Sequence, residues 1–201
     1  MEIQIVLTTD NSFFSRLARL LGAEYTHCML RFPVLWECAW TGVWGMTQSA
    51  TRPDPIYRII EATMRRGVIE RQWNPERYSN WAVYRLKEPL ADFQYARILG
   101  YARGNKGKRY AFEGLALIIP RFFHRYFSRF THERWEKFDT QLMFIGTGQI
   151  CTSLVDDCFC EALIDLVPDI DTPWVLPDDL RDSPLLELLP PEGTVEWRGE
   201  A

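Results

Sequence analysis

Ile150-Cys151-Thr152-Ser153-Leu154-Val155-Asp156-Asp157-Cys158-Phe159-Cys160-Glu161-Ala162-Leu163-Ile164-Asp165-Leu166-Val167 is the stretch on which the reading of this chain turns. Leu154, Val155, Cys158, Phe159, Ala162, Leu163 and Leu166 recur at the three- and four-residue spacing of one helical face. Asp156, Asp157, Cys160, Glu161 and Asp165 fall on the other, so 150–167 is expected as an amphipathic helix stopped by Pro168. Cys151 stands at its start, behind Gly146-Thr147-Gly148-Gln149. Unpaired amides and the positive end of the helix dipole favour a thiolate at such a place, and the same amides can meet an oxyanion. A cysteine there is nonetheless more often inert than nucleophilic, so the argument needs partners. Cys158, on the apolar face, reads as a small core residue.

A thiol nucleophile needs a base, and the chain offers His27, His124 and His132. The last two lie among arginines and aromatics, where a surface histidine is the ordinary reading. His27, in Tyr25-Thr26-His27-Cys28-Met29-Leu30-Arg31, begins an expected strand over 26–32 and can turn toward the helix of Cys151; its alternative is a structural histidine. A carboxylate must then orient the imidazole. Glu61, near the end of the apolar strand Ile56–Ala62, is the first candidate and Glu37 its competitor; either can instead be a carboxylate paired with an arginine.

Around these residues the pattern is of alternating strands and a few helices. Glu2–Thr8, Val34–Trp40, Val68–Gln72 and Trp81–Leu86 read as further strands, Pro33 separating 26–32 from 34–40. Phe13, Phe14, Leu17, Leu20 and Leu21 have helical spacing, with Gly22 as the stop. Asp92 is placed to cap a helix carrying Phe93, Tyr95, Ala96, Leu99 and Ala102. Gly104-Asn105-Lys106-Gly107-Lys108 has the composition of a turn and not the spacing of a phosphate loop. Between 112 and 138, Arg121, Arg125 and Arg129 interleave with Phe122, Phe123, Tyr126, Phe127 and Phe130, which suits a packed helix with an arginine face or one lying on a membrane surface. Beyond Pro168 the chain is acidic, Pro-rich and expected to be irregular, with Leu180–Leu189 packing locally. With no repeat and no linker, residues 1–201 read as one domain.

Composition bounds the function classes. Hydrophobic residues make up 47% and charged residues 25%, ordinary for a folded chain and wrong for a disordered one. From Asp156 onward there are thirteen acidic residues against two basic ones, Arg181 and Arg198, so the preceding part is net basic, yet it lacks the dense basic runs of a nucleic-acid binder. Five cysteines without framework spacing argue for free thiols. Neither paired Cys-x-x-Cys nor a histidine pair four apart occurs, so no metal and no cofactor is expected. The start of the chain lacks a signal-peptide pattern and no run has the length of a membrane span, which points to synthesis in the cytosol.

Four segments in order resemble the permuted NlpC/P60-like hydrolases, specifically the YiiX/YaeF-type papain-like group. They are Tyr25-Thr26-His27-Cys28, then Ile60-Glu61-Ala62-Thr63 with Gly67-Val68, then Gly107-Lys108-Arg109-Tyr110-Ala111, and finally Ile150-Cys151-Thr152-Ser153-Leu154-Val155. Thr26 and Cys28 stand where that group commonly has Ser and Val, Ala111 where Asp is common, and 33–55 and 112–149 look extended. The resemblance implies an α+β, circularly permuted papain-like fold with an antiparallel sheet against the helix of the nucleophile. It also implies acyl transfer through a thioester, with Cys151 as nucleophile, His27 as base and Glu61 as orienting acid. A cysteine amidase or peptidase, peptidoglycan peptides included, is the first expectation, delivered by a phage particle or by lysis. A lipid thioesterase or acyltransferase contacting a membrane surface is the second. The third is a virion or assembly module that keeps the fold without catalysis.

Overall fold

Strand β1 (Gln4–Thr9) is buried along its whole length, because both neighbours and both faces are covered. It lies between β2 (His27–Val34) and β5 (Asn80–Leu86) in a six-stranded sheet of order β4-β3-β2-β1-β5-β6, with β3 Ile56–Thr63, β4 Gly67–Gln72 and β6 Leu186–Leu188. Every neighbouring pair is antiparallel. The helices are α1 (Phe13–Leu20), α2 (Asp92–Gly104), α3 (Cys151–Glu161) and α4 (Pro177–Arg181). The molecule is therefore α+β. This computed structural model describes residues 2–10, 13–20, 22–34, 56–111, 149–168, 170 and 175–190. Glu37, most of the expected strand 34–40, His124, His132, the arginine–aromatic stretch and the glycines before Gln149 lie outside the described residues.

Alternation along the strands sorts side chains to two faces. Ile5, Leu7, Cys28, Leu30, Phe32, Ile60 and Ala62 meet Leu154, Val155, Cys158 and Phe159 of α3 and Ile98 and Ala102 of α2. The other face carries Val6, Met29, Ile59, Trp73 and Val83, flanked by Tyr57, Tyr78 and Trp81. Arg31, almost completely buried there, lays its guanidinium 3.8 Å from the centre of the Tyr57 ring, where the aromatic quadrupole favours a cation.

Two glycines fix turns next to the sheet. Gly22 (φ 98°) donates its N–H to the Arg19 carbonyl at 2.9 Å and ends α1. Gly67 (φ 65°) opens β4 so close to the turn after α2 that a Cβ would fall 2.0 Å from the Lys108 carbonyl oxygen. Val68 N–H donates to that same carbonyl at 2.9 Å.

The structure corrects four expectations. Strand β2 runs through Pro33, which pairs with Tyr57, as far as Val34, the last described residue there; proline keeps extended φ and loses only one ladder bond. Helix α3 stops at Glu161, not near Val167. Leu163 turns the chain with φ 62° and is 83% exposed instead of lying on the apolar stripe. Asp156, expected on the outer face, is buried. Among its described residues the acidic end is not wholly irregular: α4 starts on Pro177, whose fixed φ suits a first helical turn, and β6 pairs with β5 as the edge strand. No helix among the described residues is long and apolar enough to cross a membrane.

Candidate active site

His27 opens β2, opposite Thr8 of β1. Its Nε2 lies 2.8 Å from Glu61 Oε2. Glu61 is on β3, where register sets Leu30 against Ile60 and so brings the Glu61 side chain to the face of Met29. The other carboxylate oxygen, Oε1, accepts from Arg71 Nε at 2.6 Å. Arg71 pairs with Ile59 across β3 and β4, which makes Glu61 its diagonal neighbour. Arg71 in turn donates to the Tyr78 hydroxyl at 2.5 Å, and Tyr78 stacks on Trp73 with ring centres 5.5 Å apart. A buried carboxylate is thus held on both oxygens by cationic donors. Burial alone would raise its pKa, but the hydrogen bonds and charges of His27 and Arg71 bring it below the ordinary value.

Cys151 is the first residue of α3, packed over the start of β2. Ile150 before it offers no side-chain acceptor, so the first amides of the helix have no side-chain cap. The fixing contacts come from Ser153, whose hydroxyl accepts from Ile150 N–H at 3.1 Å and donates to Gln149 Oε1 at 2.9 Å. Gln149 is itself held by main-chain bonds to 109–111: its N–H donates to the Arg109 carbonyl at 3.0 Å and its carbonyl accepts from Ala111 N–H at 3.2 Å. That short parallel bridge sets Tyr110 beside the sulfur.

Cys151 and His27 line the same cleft, and Cys28 belongs to the same core cluster as Cys151. The Cys151 pKa lies well below the ordinary thiol value: the Cys28 thiol donates to the sulfur, and the His27 charge and a Cys28 backbone bond add to this against the cost of burial. Burial opposes the His27 imidazolium, but the Cys151 thiolate and Glu61 outweigh it and raise His27 to about 10. Both shifts favour a thiolate–imidazolium pair. Burial and the neighbouring sulfur charges push Tyr110 up, so it remains a phenol.

Cys151, His27, Glu61 and Tyr110 line one cleft of about 340 Å³. Asp10, which accepts a hydrogen bond from Ser15, and Arg77 stand on its walls. The Ser15 and Thr26 hydroxyls, 2.7 Å apart, tie α1 to the residue before His27. Three expected residues, Cys151, His27 and Glu61, are thereby brought together, and Glu37 lies outside the described residues. Arg71, Tyr78, Tyr110 and Cys28 were not singled out from sequence as parts of the site. Of these, Cys28, next to the histidine, and Tyr110, within the 107–111 segment, carried a signal. Among the described residues no group of three or more His, Cys, Asp and Glu side chains converges as a metal site.

No family model matches the chain, and no curated protein matches it. Among solved structures it is similar to the crystal structure of the metalloprotein yiiX from Escherichia coli O157:H7, with 14% identity, 94% of this chain and 96% of that chain covered, and a TM-score of 0.47. A likeness of that size carries no argument about activity, which rests on the geometry above.

Proposed function

We propose that this chain is a cysteine hydrolase that cleaves amide bonds through a thioester, on a circularly permuted papain-like fold forming one domain. The observation that carries the reading is the His27 ring, held by Glu61 at 2.8 Å and lining the same cleft as Cys151 at the uncapped start of a helix. The chain order His27, Glu61, Cys151 puts the nucleophile last, in keeping with a permuted arrangement.

In the first half-reaction the Cys151 thiolate attacks the carbonyl carbon, and the free amides at the start of α3 stabilise the oxyanion. His27 gives its proton to the departing amine, leaving a thioester on Cys151. Neutral His27 then takes a proton from water, hydroxide attacks the thioester, and the acid leaves as the thiolate–imidazolium pair re-forms. Glu61 holds the ring throughout and favours its charged form.

The test is to trap the acyl-enzyme. Incubation with p-nitrophenyl esters and, separately, with peptidoglycan stem peptides should release product and leave a transient acyl mass on the Cys151 peptide, absent from Cys151→Ala. Iodoacetamide at mildly acidic pH should label Cys151 ahead of the other thiols. Equal and slow labelling of all five cysteines, with no acyl adduct, would overturn the reading.

A further inference from the structure

One wall of the cleft is a hydrogen-bonded series of side chains. His27 is joined to Glu61 at 2.8 Å, Glu61 to Arg71 at 2.6 Å and Arg71 to Tyr78 at 2.5 Å. Arg71 is thereby engaged on both sides, giving Nε to the carboxylate and a terminal nitrogen to the phenol. Arg77, which also lines the cleft, is different. It is exposed, and among the described residues no ion pair and no hydrogen bond engages its guanidinium. The two carboxylates on the cleft wall are bonded to other groups, Glu61 to His27 and Arg71, and Asp10 to Ser15.

The backbone that carries this guanidinium is fixed. Arg77 ends a single 3-10 turn, Pro75–Arg77, and Asn74 caps its start by accepting from Glu76 N–H at 2.9 Å. Tyr78 N–H closes the turn on the Pro75 carbonyl at 3.1 Å, and the Tyr78 ring stacks on Trp73. The Arg77 charge is felt at the Tyr78 hydroxyl: burial and Glu61 push that phenol up to about 12, and the charges of Arg71 and Arg77 oppose them. A planar fork of N–H donors, held on a fixed turn at the mouth of the cleft, matches a carboxylate two bonds at a time.

We propose that Arg77 is a specificity-determining residue that binds a carboxylate on the acyl group of the substrate, so that the cleft selects acyl donors bearing an acid remote from the scissile bond. This rests on the reading of Cys151 as the acylated nucleophile and names the substrate class for it. The scissile carbonyl is met by Cys151 beside His27, at one end of the bonded series, and the acid by Arg77 beside Tyr78, at the other. Such a contact is made equally before and during attack on the carbonyl, so its loss acts on KM rather than on kcat. An exposed pair is screened by water, which sets its effect at about tenfold.

The experiment compares the mono-p-nitrophenyl esters of adipic and pimelic acids with p-nitrophenyl hexanoate and heptanoate, neutral esters of equal chain length, using Cys151→Ala as the blank. In the unaltered chain kcat/KM should favour the acids by about tenfold, and 0.5 M salt should narrow the preference. Measured as the ratio within each chain, the preference should fall to about one in Arg77→Met through a higher KM for the acids, and return in part in Arg77→Lys. Equal rates for acid and neutral esters in the unaltered chain, or a preference that survives in Arg77→Met, would overturn the proposal. A second arm needs no turnover: adipate alone should slow iodoacetamide labelling of Cys151 in the unaltered chain and not in Arg77→Met. Protection by adipate with no ester hydrolysed removes the hydrolase alone, and hydrolysis with no preference for the acids removes the Arg77 site alone.

Discussion

The two faces of strand β2 are built on different physics. Cys28, Leu30 and Phe32 enter a helix-covered core whose cohesion is apolar area removed from water. Met29 and Arg31 face the other side, where a cation is sandwiched by aromatic rings and Glu61, Arg71 and Tyr78 form a chain of charged hydrogen bonds. The site sits at the one end of the strand where both are within reach, Cys28 on the helix side and His27 bonded to the carboxylate on the other. The apolar face places the sulfur, and the polar face orients the imidazole.

That contrast predicts which measurement each substitution moves. On the proposed mechanism, Cys151→Ala should abolish turnover and His27→Ala should lower it by about 10³-fold or more, both in chains that still fold at neutral pH. Phe159→Ala, on the helix-covered face, should do the opposite. It should cost about 3–5 kcal/mol in denaturant melts and leave turnover per folded molecule largely intact. If Phe159→Ala disabled folded molecules, or His27→Ala unfolded the chain, the division of labour would fail. Glu61→Gln should reduce turnover by about 10²-fold, because the amide holds the ring without supporting its charge.

The same variant gives a pH test. The Glu61 pKa is below its ordinary value of 4.5, so its contribution to stability is present above that value and is lost as pH falls through the lower folded one. The melting-temperature gap between the unaltered chain and Glu61→Gln should therefore close in acid. His27 runs the other way: its contribution is full below 6.5 and fades as pH rises through about 10, where hydrolysis should also fall off as the general acid is lost. Arg71→Met should have the smallest effect, about tenfold on turnover or less, rescued by Arg71→Lys. It acts only through Glu61, which keeps His27 as a second donor.

Much of this was legible before any coordinates. Alternation placed β1, β3, β4 and β5 to within two residues, and the order of the histidine, carboxylate and cysteine segments picked out three side chains that the structure sets in one cleft. What sequence did not show is whatever depends on long-range register. Arg71 meets Glu61 because β4 pairs with β3 in one particular register, and nothing in Ile69-Glu70-Arg71-Gln72 advertises it. Strand β6 is three residues long, too short for a periodic pattern to register, and exists by pairing with β5. The end of α3 was overrun because Leu163 prolongs the apolar period although its backbone has already left the helix. Cys28 stands next to the histidine in sequence, but alternation gives its face and not what covers that face.

Asp178 accepts from the amides of Glu24 at 3.3 Å and Tyr25 at 3.1 Å, and Arg181 bonds the Glu24 side chain at 2.6 Å. The segment that delivers His27 is thereby anchored to residues near the far end of the polypeptide. Trimming the acidic tail back to the end of α3 would spare every proposed catalytic side chain and still unmoor the histidine. Any cut that keeps the histidine moored must leave Asp178 and Arg181 in place.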